Sequence, residues 1–148
     1  MTALHLAGPD DLDRLLPLVR AFHDEHGITR SDDDRIAGIS PLLEGSPHGV
    51  AYLIGPQRAP IGYVVISFGW SLEFGGMDGF VDEIYLRSSI RGRGIGTEVL
   101  TSLPKALAGA GLRALHLEVK RDDEQTRRFY ARLRFRDRED YMLMTLDC

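Results

Sequence analysis

A glycine-rich turn is the segment of this sequence with the clearest chemical meaning. Gly92, Gly94 and Gly96 stand at alternate positions just before a helical pattern. Glycine leaves no side chain where a backbone must approach another group closely. The free N–H groups and the dipole at a helix N-terminus suit phosphate oxygens, and Arg91 and Arg93 add positive charge beside them. The turn therefore predicts a site for a phosphate-bearing ligand, the alternative being a turn that holds no ligand.

Two familiar phosphate-binding motifs do not fit this turn. A P-loop needs Lys followed by Ser or Thr after its last glycine, whereas Thr97 and Glu98 follow Gly96 here. A dinucleotide fingerprint belongs to the first strand of a long doubly wound sheet, and this turn comes late in a chain of 148 residues. We therefore expect a phosphate ligand of another class.

Three carboxylates in apolar segments are candidates for acid–base chemistry. Asp82 and Glu83 lie in the predicted strand Phe80–Leu86, where strand alternation predicts that they point to opposite faces. Glu118 lies in the next predicted strand, twelve residues before Tyr130. A carboxylate in an apolar strand needs a reason to be there, so each is a candidate general base. The alternative for each is a strand-end carboxylate paired with a nearby arginine.

The elements that must position these residues are strands and helices in mixed order. Strands are predicted at Leu4–Ala7, Val50–Ile54, Ile61–Ser67, Phe80–Leu86, Leu112–Val119 and Tyr141–Leu146. Helices are predicted at Asp11–His26, Asp32–Leu43, Thr97–Ala108 and Asp123–Leu133. Ser31 is the expected cap of the second helix, Pro17 predicts a kink or a break in the first, and Gly75–Gly79 predicts a turn. No repeat or linker divides the chain, so we expect a single α/β (α+β) domain over residues 1–148.

Composition excludes several classes of protein. The chain is 43% hydrophobic and 27% charged, with a net charge of −4. It has no apolar run near the ~18 residues of a membrane span and no secretory pattern, so a cytoplasmic protein without a membrane partner is expected. The acidic balance argues against a nucleic-acid partner.

The other polar residues are expected to be solvated. His23, Asp24 and His26 are interpreted as the exposed end of a helix, and Asp32–Asp34 as a capped first turn. The histidines and the single cysteine, Cys148, show no spacing typical of metal ligands, so no metal is expected.

Between about Phe80 and Phe135 the chain resembles the GCN5-related N-acetyltransferase (GNAT) family. The acetyl-CoA motif of that family is matched by Arg91, Gly94 and Gly96, and its second motif by Asp123, Thr126, Phe129 and Tyr130. The resemblance implies transfer of an acetyl group from acetyl-CoA to a primary amine of a small molecule or a peptide, by direct attack in a ternary complex. It also implies a mixed, mostly antiparallel twisted sheet of roughly six or seven strands flanked by about four helices.

The resemblance assigns roles to individual residues. Tyr130 is the expected general acid for the departing thiolate, since a phenol stays protonated at neutral pH. The expected base, acting through water, is Glu83, then Glu118, then Asp82. The expected acetyl-CoA-binding residues are Ile84, Tyr85, Leu86, Arg91, Gly92, Arg93, Gly94, Ile95, Gly96, Thr97, Asp123 and Tyr130, with main-chain groups of the first three serving the thioester and the pantetheine arm.

Three residues depart from the family pattern. Asp123 stands where asparagine is usual, and Thr126 stands in place of a small alanine. Arg134 replaces the glycine that commonly precedes the phenylalanine at Phe135. If position 134 needs a positive φ, arginine costs about 1 kcal/mol there.

A second function stays open at this point. A non-catalytic acyl-CoA-binding or sensing module would keep the glycine turn without the chemistry. Dimers are common in the family, and the predicted last strand, Tyr141–Leu146, is expected to be able to serve as a homodimer contact.

Overall fold

The computed structural model describes residues 2–148, which fall into two units, the first ending at Glu118 and the second being Val119–Cys148. The strands, all in the first unit, are β1 (Leu4–Leu6), β2 (Gly49–Ile54), β3 (Gly62–Ser71), β4 (Gly76–Leu86) and β5 (Ala114–His116). The helices are α1 (Leu12–Glu25), α2 (Asp32–Leu43) and α3 (Ile95–Gly109) in the first unit and α4 (Glu124–Arg132) in the second.

The sheet has the strand order β1-β2-β3-β4-β5, with antiparallel pairing from β1 to β4 and parallel pairing of β4 with β5. The predicted mixed, mostly antiparallel sheet flanked by about four helices is confirmed, with five strands. The predicted strand Tyr141–Leu146 is wrong: within the described chain it joins no ladder, and Tyr141 and Leu146 are 70% and 86% exposed. A short apolar run does not by itself supply a neighbouring strand, and a strand needs one for its N–H and C=O groups.

The two faces of the sheet carry two separate apolar cores. Successive strand residues point to opposite faces, so Leu53 and Tyr63 pack against α1 and α2. Val64 and Ile66 lie on the other face and pack with Val99 of α3. The helices therefore cover both faces of the central strands. Side chains that lie between α1, α2 and β4 are positioned by elements whose packed faces are buried.

Two helix signals in the sequence have different outcomes. Ser31 caps α2 as predicted, because its hydroxyl accepts a hydrogen bond from the Asp34 N–H at 3.1 Å. Pro17 lies inside α1, which continues from Leu12 to Glu25, so a break at Pro17 is wrong, and the alternative, a kink, stays a prediction. A proline removes one helical hydrogen bond, and the packed face of α1 holds the helix together across that position.

The predicted turn Gly75–Gly79 is also wrong. The turn occupies residues 72–75, and Gly76–Gly79 form the start of β4. A Cβ atom on Gly79 would lie 3.2 Å from side-chain carbons of Ile66 and Leu115. The sheet has no room for a side chain at position 79, so glycine is needed there for packing. In the sequence, such a glycine cannot be distinguished from a turn glycine.

The second unit ends its helix with a Schellman motif. The Arg134 N–H donates to the Ala131 carbonyl at 3.0 Å, and the Phe135 N–H donates to the Tyr130 carbonyl at 3.1 Å. This motif needs a residue with positive φ after the helix, and Arg134 has a φ of +72°. The ring of Phe135 packs edge-on against that of Tyr130 at 5.7 Å. The positive φ on which the expected arginine strain depends is therefore confirmed, and the cost of about 1 kcal/mol stays a prediction.

Replacing Arg134 with glycine is expected to stabilise the end of α4 by about 1 kcal/mol, because glycine adopts positive φ without strain. Hydrogen exchange of the α4 amides in the whole protein measures this change. Arg132→Gly, at the last residue of α4, is the matched control and is expected to destabilise the helix by about 1 kcal/mol. Equal or faster exchange in Arg134→Gly would contradict the assignment.

Candidate active site

The glycine-rich turn ends at the N-terminus of α3 and is open to solvent. Gly92 and Gly94 have φ values of +80° and +82°, which favour glycine, and Gly94 is the residue that caps the helix start at Ile95. A Cβ atom on either glycine would meet no other atom within 4 Å. The first N–H groups of a helix have no acceptor within it. The turn therefore offers main-chain donors on a surface that a ligand can approach.

Arg91 holds this turn against the rest of the unit. Its guanidinium donates to the carboxylate of Glu25, at the end of α1, at 2.7 and 2.8 Å. Its Nε donates to the Leu86 carbonyl at 2.9 Å, and its Cζ lies 5.4 Å from the centroid of the Tyr85 ring. Part of the positive charge predicted beside the turn is thus balanced by Glu25. The sequence analysis did not predict a role for this residue.

One edge of β4 is only partly covered. β5 pairs with β4 at three positions, from Asp78 to Phe80, and ends at His116. The rest of β4, from Val81 to Leu86, continues beyond the last β5 partner while β3 covers its other edge. Among residues 2–148, β5 therefore leaves the main chain of this segment, which includes Ile84, unpaired on that edge, while the Leu86 carbonyl accepts the hydrogen bond from Arg91.

A β-bulge in β4 turns two consecutive carboxylates to one side. Val65 of β3 pairs with Glu83 and Ile66 pairs with Val81, so Asp82 is an extra residue in the ladder. A bulge interrupts the alternation of side chains. Asp82 and Glu83 both line one cavity, and the prediction that they face opposite sides of the sheet is wrong.

The cavity lies between α1, α2, β3 and β4 and has a volume of about 380 Å³. Its apolar wall comes from Val19, Ile39, Leu42 and Val65, and its polar lining from His23, Arg30, Asp34, Arg35, Asp82 and Glu83. Its volume lies in the range of small-ligand sites, and more than half of its lining residues are polar or charged.

Glu83 is fixed at both of its oxygens. The Tyr63 hydroxyl donates to Oε1 at 2.6 Å, and Nε2 of His23 lies 2.8 Å from Oε2. Burial and the neighbouring charge of Glu83 raise the pKa of Tyr63, so this phenol remains a donor. Glu83 therefore has a defined orientation with respect to the cavity.

His23 and the α2 residues behind it form a continuous hydrogen-bonded chain. Arg35 donates from Nε to His23 Nδ1 at 3.1 Å and from Nη1 to Asp32 at 2.7 Å. Arg20 of α1 also donates to Asp32, at 2.7 Å and 3.1 Å. His23 is 8% exposed, so the interpretation of its cluster as a solvated helix end is wrong for this residue. The sequence could have indicated this burial, because His23 lies one helical turn after Val19 on the apolar face of α1.

Asp82 differs from Glu83 in its surroundings. No hydrogen bond or ion pair joins its carboxylate to any residue from 2 to 148. Asp82 is exposed to solvent, yet the atoms packed around its carboxylate partly desolvate it, and its pKa is raised first by this desolvation and then by the negative charges of Glu83 and Glu118. Glu118 is exposed two residues after β5 and acts on Asp82 through its charge.

In the second unit, Tyr130 lies on α4 between two aromatic rings. Phe129 and Phe135 pack against it at 5.3 and 5.7 Å. Burial and, less strongly, the charge of Asp123 raise the pKa of Tyr130. Asp123 caps α4 by accepting a hydrogen bond from the Thr126 N–H at 3.1 Å, which lowers the pKa of its own carboxyl. An aspartate accepts this capping hydrogen bond as an asparagine would, and its negative charge adds to the interaction with the helix N-terminus. Contact of Asp123 with a cofactor stays a prediction.

No group of three or more His, Cys, Asp or Glu side chains among residues 2–148 is arranged to hold a metal ion. No helix in this range is both long and apolar enough to cross a membrane.

Comparison with known proteins identifies the family. Residues 8–135 match the sequence model of the acetyltransferase (GNAT) family, and the chain belongs to this family of acetyltransferases. No protein of curated function matches the sequence.

Solved structures agree with this assignment. An integron cassette protein from the mobile metagenome of Cole Harbour Salt Marsh is 29% identical, with a TM-score of 0.83 over 97% of this chain and 89% of that one. The ribosomal-protein-alanine N-acetyltransferase of Brucella melitensis biovar Abortus 2308 is 20% identical, with a TM-score of 0.76 over 100% and 99% of the two chains. The aminoglycoside enzyme AAC(6')-Iy is 15% identical, with a TM-score of 0.81 over 100% and 99%. The last two likenesses concern the fold alone.

Replacing Asp82 with asparagine is expected to raise the thermal midpoint at neutral pH. The pKa of this carboxyl is higher in the folded than in the unfolded protein, so its charged form destabilises the fold. This destabilisation disappears as the pH falls below the pKa of the carboxyl in the unfolded protein. Wild type and variant should therefore converge at about pH 3.

Asp123→Asn is the control of opposite sign. The pKa of Asp123 is lower in the folded than in the unfolded protein, so its charge stabilises the fold at pH values above the pKa of the unfolded protein. The Asp123→Asn variant should therefore be less stable than wild type at neutral pH. Thermal unfolding at several pH values measures both variants. An Asp82→Asn midpoint below wild type at neutral pH would contradict the proposed environment of Asp82.

Proposed function

We propose that this protein transfers the acetyl group of acetyl-CoA to a primary amine by direct attack in a ternary complex. The observation that carries the proposal is the double role of β4. Beyond Phe80 this strand offers a free edge next to the glycine-rich turn, and at its bulge it turns Asp82 and Glu83 into the cavity. A thioester along the edge and an amine in the cavity would meet at one strand.

The residues around the turn fit the phosphates of CoA. Gly92 and Gly94 leave open space at the start of α3, where helix N–H groups suit phosphate oxygens. Arg93 is exposed beside them. Bound there, acetyl-CoA would supply the acetyl group as a thioester. AAC(6')-Iy, which shares the fold, has been solved with the bisubstrate analog CoA-S-monomethyl-acetylneamine.

The cavity fits a cationic amine with an apolar stem. The three carboxylates in the lining, Asp34, Asp82 and Glu83, outnumber its two arginines, Arg30 and Arg35. Val19, Ile39 and Val65 supply the apolar wall. About 380 Å³ accommodates a small amine or the terminal residue of a peptide. Proteins of this fold include enzymes named for both kinds of acceptor, an aminoglycoside and a ribosomal protein alanine.

We assign the general base to Asp82, acting directly or through water. An amine must lose a proton before it attacks a thioester. Both oxygens of Glu83 are engaged by Tyr63 and His23, whereas Asp82 has no hydrogen-bond partner among residues 2–148. A raised pKa makes Asp82 a stronger base than an ordinary aspartate. The order expected from sequence, Glu83 before Glu118 and Asp82, is thereby revised in the proposal.

Tyr130 is the proposed acid for the thiolate that leaves. The proposal rests on its place in the second family motif and on its raised pKa, which keeps the phenol protonated at neutral pH. The Schellman motif and the ring of Phe135 fix its backbone and side chain.

Gly94→Val is expected to abolish CoA binding, because a branched side chain would occupy the open space above the helix start. Gly75→Val is the matched control: Gly75 has a φ of +79°, a Cβ there also meets nothing within 4 Å, and it lies in the β3–β4 turn. Calorimetric titration with CoA should show wild-type affinity for the control only. Equal affinity in all three proteins would exclude this turn as the CoA site.

Asp82→Asn is expected to lower kcat by about 10²- to 10⁴-fold, the usual contribution of a general base. In wild type, kcat/KM should fall as the pH drops through the raised pKa of Asp82, and the variant should lose this dependence. Release of free thiol from acetyl-CoA across a panel of primary amines measures the rates.

Glu83→Gln is the comparison for this experiment and should keep most of kcat while raising KM for the amine. Full activity in Asp82→Asn with loss in Glu83→Gln would assign the base to Glu83. CoA binding without turnover of any amine would instead favour the non-catalytic module.

A further inference from the structure

We propose that Arg35 is a positioning residue that fixes the proton of His23 on Nε2, so that His23 gives Glu83 a neutral hydrogen-bond donor in the amine cavity. The proposal rests on the proposed function of the cavity. Arg35 has no role in the family resemblance and lies on α2, away from both of the motifs in the sequence.

The direction of one hydrogen bond carries the inference. Guanidinium nitrogens carry hydrogen atoms and offer no acceptor, so a contact with Arg35 Nε can form only if the partner accepts. The partner is Nδ1 of His23, at 3.1 Å. A neutral imidazole whose Nδ1 accepts carries its proton on Nε2. That nitrogen lies 2.8 Å from Oε2 of Glu83 and is therefore the donor.

Arg35 is itself held in place. Its side chain is 7% exposed and donates to Asp32 at 2.7 Å. Hydrogen bonds from Arg20 and from Arg35 lower the pKa of Asp32, which keeps this carboxylate charged. The guanidinium is thus fixed by an anion behind it and points its Nε–H at the ring.

The groups around His23 explain why the proton position matters. Arg35 faces it from α2, and Glu83 and Asp82 face it from β4, while Tyr63 of β3 donates to the other oxygen of Glu83. With the proton on Nδ1, a lone pair of Nε2 would face the carboxylate. With both nitrogens protonated, the ring would neutralise Glu83. In the arrangement that Arg35 selects, Glu83 keeps its full charge for an incoming ammonium.

The ring nitrogens of His23 give a direct readout in the whole protein. In ¹⁵N NMR at neutral pH, wild type is expected to show a neutral ring protonated on Nε2. Arg35→Met should lose this single form, because methionine cannot donate to Nδ1. Arg20→Met is the matched control, since Arg20 shares Asp32 but does not contact His23, and it should keep the wild-type signal. A wild-type ring protonated on Nδ1, or unchanged signals in Arg35→Met, would overturn the proposal.

Kinetics distinguish positioning from a loss of stability. With acetyl-CoA and butylamine, Arg35→Met should raise KM for the amine on the order of tenfold, the effect of one hydrogen bond to a charged group. His23→Gln in the Arg35→Met background should recover much of this loss, because a glutamine amide donates to Glu83 without help from residue 35. A double variant no better than Arg35→Met would overturn the proposal.

The two measurements also separate this proposal from the proposed function. Wild-type protein that binds CoA but acetylates no amine would reject the acetyl transfer. The NMR comparison of wild type, Arg35→Met and Arg20→Met would still decide the role of Arg35, because it needs no turnover.

Discussion

The β-bulge at Asp82 is the constraint on which the candidate site depends. Without the extra residue, β4 would send Asp82 and Glu83 to opposite faces of the sheet, and one carboxylate would enter the apolar core under α3. With it, both line the cavity between α1, α2 and β4. The same strand has already left its β5 partner by this point, so the two proposed substrates share one short segment of backbone.

The two carboxylates are then made different by their neighbours. Glu83 takes hydrogen bonds from Tyr63 and His23 and is the fixed member of the pair. Asp82 has none among residues 2–148, and partial desolvation with two like charges nearby raises its pKa. The surroundings of Glu83 fix a charged carboxylate in place, whereas those of Asp82 favour its protonated form. Two carboxylates that differ in this way can take different roles in acid–base chemistry.

Much of the fold and part of the site follow from the sequence. The glycines of the turn, the Ser31 cap and the strain at Arg134 were predicted because local backbone geometry determines them. The sequence did not predict three features of the site: the face to which Asp82 points, the burial of His23 and the ion pair of Arg91 with Glu25. A bulge and long-range ion pairs depend on which strands and helices meet. The segment Tyr141–Leu146 is a short apolar run like that of a buried strand, yet it joins no ladder in the described chain.

A ¹³C NMR titration of the side-chain carboxyls tests the central claim most directly, with the Asp82 signal assigned by its loss in Asp82→Asn. The account predicts that Asp82 titrates above the ordinary aspartate value of about 3.9, and that removing the charge at Glu83 by Glu83→Gln brings it closer to that value. An Asp82 signal that titrates at or below the ordinary value, with no response to Glu83→Gln, would contradict the shared cavity and its proposed base.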